Sequence, residues 1–391
     1  MSGFDSLRGQ VAIVGVGHTQ YGRRLNRHSL DLISEAVENA LDDCGLERKD
    51  LDGVASNSGW PGSMDMDALA QGLGLDINWY GQTWSHGRFC ASVIQWASFI
   101  VHHSLANYVA CVVGQGGGRR IVGGSGDAEG MRETGGPYGQ SPPYGMTSPG
   151  AGAALAARRY FHRYGATSED LSAIPIAFRK HASLNPNAIM RQPLTLEDYL
   201  ESRFVCEPLR LFDYSQVNDG ATCIILTSSD RARYLKKSPV HIIGMQGLRS
   251  GRQEMVFAPP GLGLLEQDEF IYRPNLDDLP IYRTSGLKPK DIDALFTYDA
   301  FSFLPWVALE RFGFCGPGEA PSFTQKGRIE LGGELPMNTH GGLLSEAHMN
   351  GWNAQIEITR QLRGEAGPRQ VENAEVVMWA NAYGDALIYS K

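Results

Sequence analysis

The chain has 391 residues, 42% of them apolar and 20% charged, enough for two packed cores or one large duplicated core and too well mixed for a disordered polypeptide. A formal charge of -8 without a basic stripe argues against a nucleic-acid partner. The six cysteines (Cys44, Cys90, Cys111, Cys206, Cys223 and Cys315) form neither a CxxC pair nor a Cys/His cluster, so no structural metal and no disulfide framework is expected.

The opening residues lack a basic segment followed by an apolar one, and no apolar run reaches membrane-spanning length. A cytoplasmic protein with no membrane span is expected. The final Tyr389-Ser390-Lys391 is not a Ser-Lys-Leu peroxisomal address.

Along the chain, the branched run Val11–Val16 predicts a strand. A helix over Asp31–Cys44 follows and stops at Gly45, which suits a left-handed cap. The segment Gly45-Leu-Glu-Arg-Lys-Asp-Leu-Asp-Gly-Val54 is echoed by Gly286-Leu-Lys-Pro-Lys-Asp-Ile-Asp-Ala-Leu295. Each copy joins a helix end to a polar turn, an Asp-x-Asp step and an apolar strand, so the chain is built from two related halves. The first half continues with His86-Gly-Arg-Phe-Cys90, a helix, and the strand Tyr108–Val113. In the second half the strand Val240–Gly244 precedes the repeat, and His340-Gly-Gly-Leu-Leu344 leads into a helix and the strand Ala374–Trp379. Alternating strands and helices predict parallel sheets covered on both faces. The N-terminal half is residues 1–235, including an insert over about 114–235, and the C-terminal half is 236–391. The insert opens on glycine-rich and Pro/Tyr-rich loop and continues as short helices over Ala151–Tyr164, Ser168–Leu184 and Thr195–Arg203, forming a lid or substrate-facing layer.

Cys90 begins the apolar-periodic run Ala91–Ile100, which places it at a helix N-terminus, where the helix dipole favours a thiolate. The alternative is a buried packing cysteine. His348 precedes the last long helix, and the repeat brings it near the start of the Cys90 helix, as a Cys/His pair for nucleophilic catalysis requires. Tyr298 stands where the second-half strand ends, a place where ligands bind in open α/β sheets, although tyrosines there also serve packing. Trp60, Trp79, Tyr80, Trp84 and Phe89 cluster before Cys90, with Trp96 just after, which suggests a pocket for a bulky ring-bearing group. Trp84, Phe89 and Asn381 are the candidate substrate-binding residues. Arg119, Arg120, Arg179, Lys180 and Arg191 are basic positions in the insert to which no role is assigned.

Taken together, Phe89-Cys-Ala-Ser92, Met146-Thr-Ser-Pro149, Pro208-Leu-Arg-Leu-Phe-Asp213 with Asp219-Gly220, Gly313-Phe-Cys-Gly316 with Gly318-Glu319, and Asn338-Thr-His-Gly-Gly-Leu343 resemble the thiolase superfamily. The likeness is to sterol-carrier-protein-x type thiolases and bacterial lipid-transfer-protein thiolase-like enzymes, and it runs along essentially the whole chain. It implies an α/β thiolase fold, duplicated halves forming a five-layered αβαβα sandwich, usually dimeric. In that family the cysteine matching Cys90 is acylated and the histidine matching His348 activates it. Coenzyme A is substrate or product, and no covalently bound cofactor is implied.

The family's His-Asp-Cys-Phe motif reads Tyr298-Asp-Ala-Phe301 here, its Gly-His-Pro motif reads Ala347-His348-Met349, and its C-terminal Cys-x-Gly loop reads Ala380-Asn-Ala-Tyr-Gly384 without a cysteine. The Tyr-Asp-x-Phe motif is similar to that of steroid side-chain retro-aldolases in the same superfamily, which carry a tyrosine where this chain has His348. Those enzymes work with a small zinc-ribbon/OB-fold partner, which implies a heterotetramer with acyl-CoA as the ligand. The leading expectation is therefore thiolytic, retro-Claisen cleavage of a bulky or aromatic 3-oxoacyl-CoA by Cys90 and His348, an acyltransferase reaction of the β-oxidation type in aromatic or steroid catabolism. The second is retro-aldol cleavage of a 3-hydroxyacyl-CoA through Tyr298 or His348, and the third a non-catalytic acyl-CoA or sterol carrier.

Overall fold

In the computed structural model the described residues are 7–59, 66–84, 86–116, 149–248 and 275–391. Residues 117–148 of the insert, with Arg119 and Arg120, and Trp60 lie outside them, whereas Gly114 and Gln115 close a strand.

The duplicated segment does the same work twice. Helix α1 (Ser29–Cys44) ends at Gly45 with φ 77, and the helix Pro280–Ser285 ends at Gly286 with φ 72, a left-handed conformation that costs glycine little. The first aspartate of each Asp-x-Asp step closes the turn: Asp50 accepts from the Glu47 N–H and Asp291 from the Lys288 N–H, both at 2.8 Å. The second aspartate reaches the adjoining strand. Asp52 accepts from the backbone N–H groups of Asn107 (2.7 Å) and Tyr108 (2.8 Å), and Asp293 from those of Glu375 (2.8 Å) and Val376 (2.9 Å). Each carboxylate thus sets the register of β2 (Gly53–Gly59) beside β4 (Tyr108–Gln115), or of β9 (Ala294–Phe296) beside β10 (Val376–Ala380).

The strands follow the order β3-β2-β4-β7-β1-β8-β11-β10-β9, where β1 is Val11–His18, β3 Trp79–Trp84, β7 Gly220–Ser228, β8 Val240–Gln246 and β11 Ala386–Ser390, while β5 (Phe204–Cys206) and β6 (Leu209–Arg210) pair separately. Among the described residues the sheet is continuous across the halves through the β1–β8 pairs Ala12↔His241 and Ile13↔Val240. Alternate residues of β1, β4 and β7 serve two cores: Ala12, Val14, Ala110, Val112, Cys223 and Ile225 face α1, whereas Val11, Ile13, Val109, Cys111, Ile224 and Leu226 face the interior, the period-two pattern of a sheet covered on both sides. Between the two halves of the sheet lie α3 (Cys90–His102) and the helix Trp352–Arg363, the latter touching β1 and β7 on one side and β8 and β10 on the other. The helix Pro280–Ser285 covers the outer side of β8 and β11. Helix, sheet, helices, sheet, helix is the five-layered αβαβα sandwich.

Two strands correct the expectation of parallel sheets. β7, inside the stretch read as insert, is the central antiparallel neighbour of β1 and β4, and β11 runs antiparallel to β10 and β8. The short connection 381–385 allows β11 only a reversal, because a parallel return needs a crossover of a dozen or more residues. The insert's helices lie at Pro149–Tyr164, Ser168–Ser183 and Leu196–Glu201, close to the expected positions.

Candidate active site

Two residues beyond β9, Tyr298 enters the seam between the halves. Its backbone is held by Asn338, which accepts from the Thr297 N–H at 2.9 Å and donates to the Thr297 carbonyl at 3.0 Å. Asp299, fully buried, accepts from the N–H groups of Leu343 (2.9 Å) and Leu344 (3.2 Å). The loop that carries His348 is thereby fastened to the residue next to Tyr298. His348 is further fixed by its own N–H, which donates to Asn218 Oδ1 at 2.6 Å, and by its carbonyl, which accepts from Gln115 Nε2 at 2.5 Å.

These supports bring the Tyr298 hydroxyl to 3.2 Å from His348 Nε2, with Ser215 Oγ 2.8 Å from His348 Nδ1. Burial pushes the Tyr298 pKa well above the ordinary phenol value, partly offset by a hydrogen bond from the Gly87 backbone, while Asp299 raises it further. The phenol is therefore protonated at neutral pH. In the tautomer with the ring proton on Nδ1, the phenol O–H donates to Nε2 and Nδ1–H donates to Ser215 Oγ. The line Tyr298–His348–Ser215 can carry a proton away from a group that meets the phenolic oxygen. Gly87 makes the approach possible, since a Cβ there would stand 2.0 Å from Tyr298 Cε2.

The surrounding wall comes from the turn His86–Phe89 and from Tyr383. The His86 ring centroid lies 5.9 Å from that of Tyr298 and 5.9 Å from that of Tyr383, and Phe89 packs edge-on to His86 at 6.5 Å. Arg88, buried, lies over the rings of Phe89 and Tyr383. Phe89 is therefore part of the wall. Trp84 closes β3, and its side chain lies outside the described residues. Asn381 is fully buried and donates from Nδ2 to the Gly87 carbonyl at 3.4 Å. That contact supports the turn beneath Tyr298.

Cys90 opens α3 as expected, and its surroundings favour the thiol over the thiolate. The residue has no exposed surface, and its neighbours are Cys111, Asp385, Tyr389 and the Gln355 side chain of the central layer. Burial first, then Asp385 and Cys111, push the thiol pKa well above its ordinary value, against a smaller opposing contribution from Gln355. Desolvation outweighs the helix dipole, whose effect is a fraction of the cost of burying a charge. The structure sets His348 beside Tyr298 and Cys90 beside Gln355.

Ser215, Asn218 and Gln115 escaped the sequence reading, as did the role of Gly87. Ser215 and Asn218 lie in the gap between Pro208–Asp213 and Asp219-Gly220, two blocks that are themselves recognisable, so their neighbourhood was marked although their contacts were not.

The family description "Thiolase C-terminal domain-like" matches residues 281–389. The chain is 38% identical to the 17-hydroxy-3-oxo-4-pregnene-20-carboxyl-CoA lyase of Mycobacterium tuberculosis over 375 residues, covering 92% of both chains. The chain belongs to the thiolase superfamily. Another relative in the superfamily is the steroid side-chain-cleaving aldolase of Thermomonospora curvata, 35% identical over 98% of both chains. Among solved structures, the Ltp2-ChsH2(DUF35) aldolase superposes with a TM-score of 0.85 at 33% identity, covering 98% of both chains. This thiolase-superfamily member is an enzyme that cleaves a carbon–carbon bond. Among the described residues no helix is long and apolar enough to cross a membrane.

Proposed function

We propose that this enzyme is a carbon–carbon lyase, cleaving a 3-hydroxyacyl-CoA with a bulky, ring-bearing acyl group by retro-aldol chemistry. The observation that carries this reading is the Tyr298–His348 contact at 3.2 Å. A group at the Tyr298 oxygen that takes the proton of the substrate's 3-hydroxyl, while passing its own to His348, starts the reaction without a covalent enzyme. The C2–C3 bond then breaks, its electron pair moves onto the thioester as an enolate, and C3 becomes a carbonyl. Return of the proton to C2 releases the shorter acyl-CoA. A buried, protonated Cys90 is poorly suited to the competing thiolytic step, so thiolysis yields to the retro-aldol reading.

The lyase and aldolase names of the similar proteins support the same reaction class. A small DUF35 partner, of the zinc-ribbon/OB-fold kind, is proposed here as well, because the similar solved aldolase is described together with ChsH2(DUF35). Assembly of two copies of each chain and a cytoplasmic setting complete the proposal.

The test offers matched 3-oxo and 3-hydroxy acyl-CoAs to the purified protein with its co-purifying partner. Cleavage of the 3-hydroxy compound that survives Cys90→Ala and is abolished by Tyr298→Phe is the expected result. An acyl group on Cys90 by intact mass, formed only from the 3-oxo compound, would overturn it.

A further inference from the structure

His86 and His348 face the same tyrosine, and their second nitrogens are held in opposite ways. At His348 the Nδ1 side meets Ser215, leaving Nε2 to accept from Tyr298. At His86 the Arg88 backbone N–H donates to Nδ1 at 3.1 Å, so in the neutral ring the proton resides on Nε2. With the His348 proton on Nδ1, one imidazole is an acceptor and the other a donor.

The His86 ring is also held neutral. It caps the turn Gly87–Phe89, which runs directly into the thirteen-residue helix α3, so the positive end of that helix faces it. Burial, then Arg88 and His348, lowers its pKa to about 3. A neutral imidazole at a helix N-terminus donates a strong hydrogen bond without surrendering its proton, the behaviour known for the electrophilic histidine of triosephosphate isomerase.

We propose that His86 is a further catalytic residue, donating from Nε2–H to the thioester carbonyl oxygen as the enolate forms. The proposal rests on the retro-aldol reading. In that reaction the electron pair of the broken C2–C3 bond comes to rest on the thioester oxygen, and a fixed donor there stabilises the charge where it develops. Base and oxyanion donor then stand beside the same tyrosine, their ring centroids each 5.9 Å from its own. The proton taken from the 3-hydroxyl travels through Tyr298 to His348, and none passes through His86.

The experiment compares wild type, His86→Ala and His86→Gln, each with the partner subunit and each checked for a native melting transition. Two reactions are followed: cleavage of a 3-hydroxyacyl-CoA, and exchange of the α-protons of the product acyl-CoA in deuterated water, which reports enolate formation without a 3-hydroxyl. His86→Ala should lower kcat for cleavage and the exchange rate together by about 100- to 1,000-fold, with KM changed by less than about threefold. His86→Gln, which restores a neutral N–H donor, should recover at least about tenfold of both. Exchange that persists in His86→Ala while cleavage falls, or no exchange by wild type, overturns the role of His86. If wild type exchanges α-protons but does not cleave the 3-hydroxy compound, the retro-aldol reading fails, and the exchange rates of the variants still decide the role of His86.

Discussion

The Tyr298 hydroxyl meets His348 Nε2 at 3.2 Å while Ser215 Oγ meets the other ring nitrogen at 2.8 Å. The two halves of the chain contribute to one hydrogen-bonded line, since Ser215 precedes β7 and the other two residues follow β9. Tyr298→Phe and His348→Ala should each lower kcat by about 100- to 10,000-fold. The double variant should be little worse than the more damaged single one, because the residues act as a unit. Steady-state kinetics of the three variants checks this, and fully multiplicative losses would refute a shared path.

Ser215→Ala removes only the far end of the line. A loss of about 5- to 30-fold in kcat is expected, with KM unchanged, since a net hydrogen bond of this kind is worth about 1–2 kcal/mol. The pH–rate profile should also move, because the Nδ1 partner sets the basicity of Nε2. An unchanged profile would reduce Ser215 to packing.

A methyl group at position 87 has no room, its nearest atom being Tyr298 Cε2 at 2.0 Å. Gly87→Ala must displace the Tyr298 ring, so activity should fall at least about tenfold and stability by about 1–3 kcal/mol, as for other overpacked sites. Denaturant unfolding and kcat measured on the same preparation test the pair of effects.

Alkylation distinguishes a structural Cys90 from a nucleophilic one. In the native protein iodoacetamide should modify the half-buried Cys206 and Cys315 first and leave buried Cys90 intact until unfolding. Preferential labelling of Cys90, read by peptide mass spectrometry, would restore it as the reactive thiol.

His340 provides a pH test of stability. The ring is fully buried, stacked on Phe296 at 5.6 Å, and burial followed by Arg369 holds its pKa well below the ordinary value. The unfolded chain takes up a proton near pH 6.5 and the folded chain does not, so this residue's contribution to stability is intact above that value and is lost as pH falls below it. Between pH 7 and pH 5 the wild type should lose about 2 kcal/mol more than His340→Leu. Urea melts of both proteins at the two pH values check the difference. Equal losses would mean that His340 is protonated in the fold.

Much of the architecture was legible because it depends on short-range rules. The two Gly–turn–Asp-x-Asp segments announce the duplication, and their aspartates act on the neighbouring strand in both halves alike. β7 was obscured because it follows a long helical stretch, and nothing local in Gly220–Ser228 states that it will sit between β4 and β1.

For the site, the residue types and their neighbourhoods were visible in the sequence: a histidine before the last long helix, a tyrosine where the family has histidine, a cysteine opening a helix. Tertiary structure decided which of them meet. A strand-to-helix junction placed Cys90 at the positive end of a dipole, but the central layer closed over its thiol, and the cost of burying charge exceeds what a dipole returns. The contact between Tyr298 and His348 depends on Gly87, Asn218 and Asp299, which are remote in sequence from the groups they align. Sequence by itself determined the duplicated sandwich and the residues available for chemistry. The folded chain alone decided that Tyr298 and His348 meet, because burial and hydrogen-bond geometry exist only once the two halves have come together.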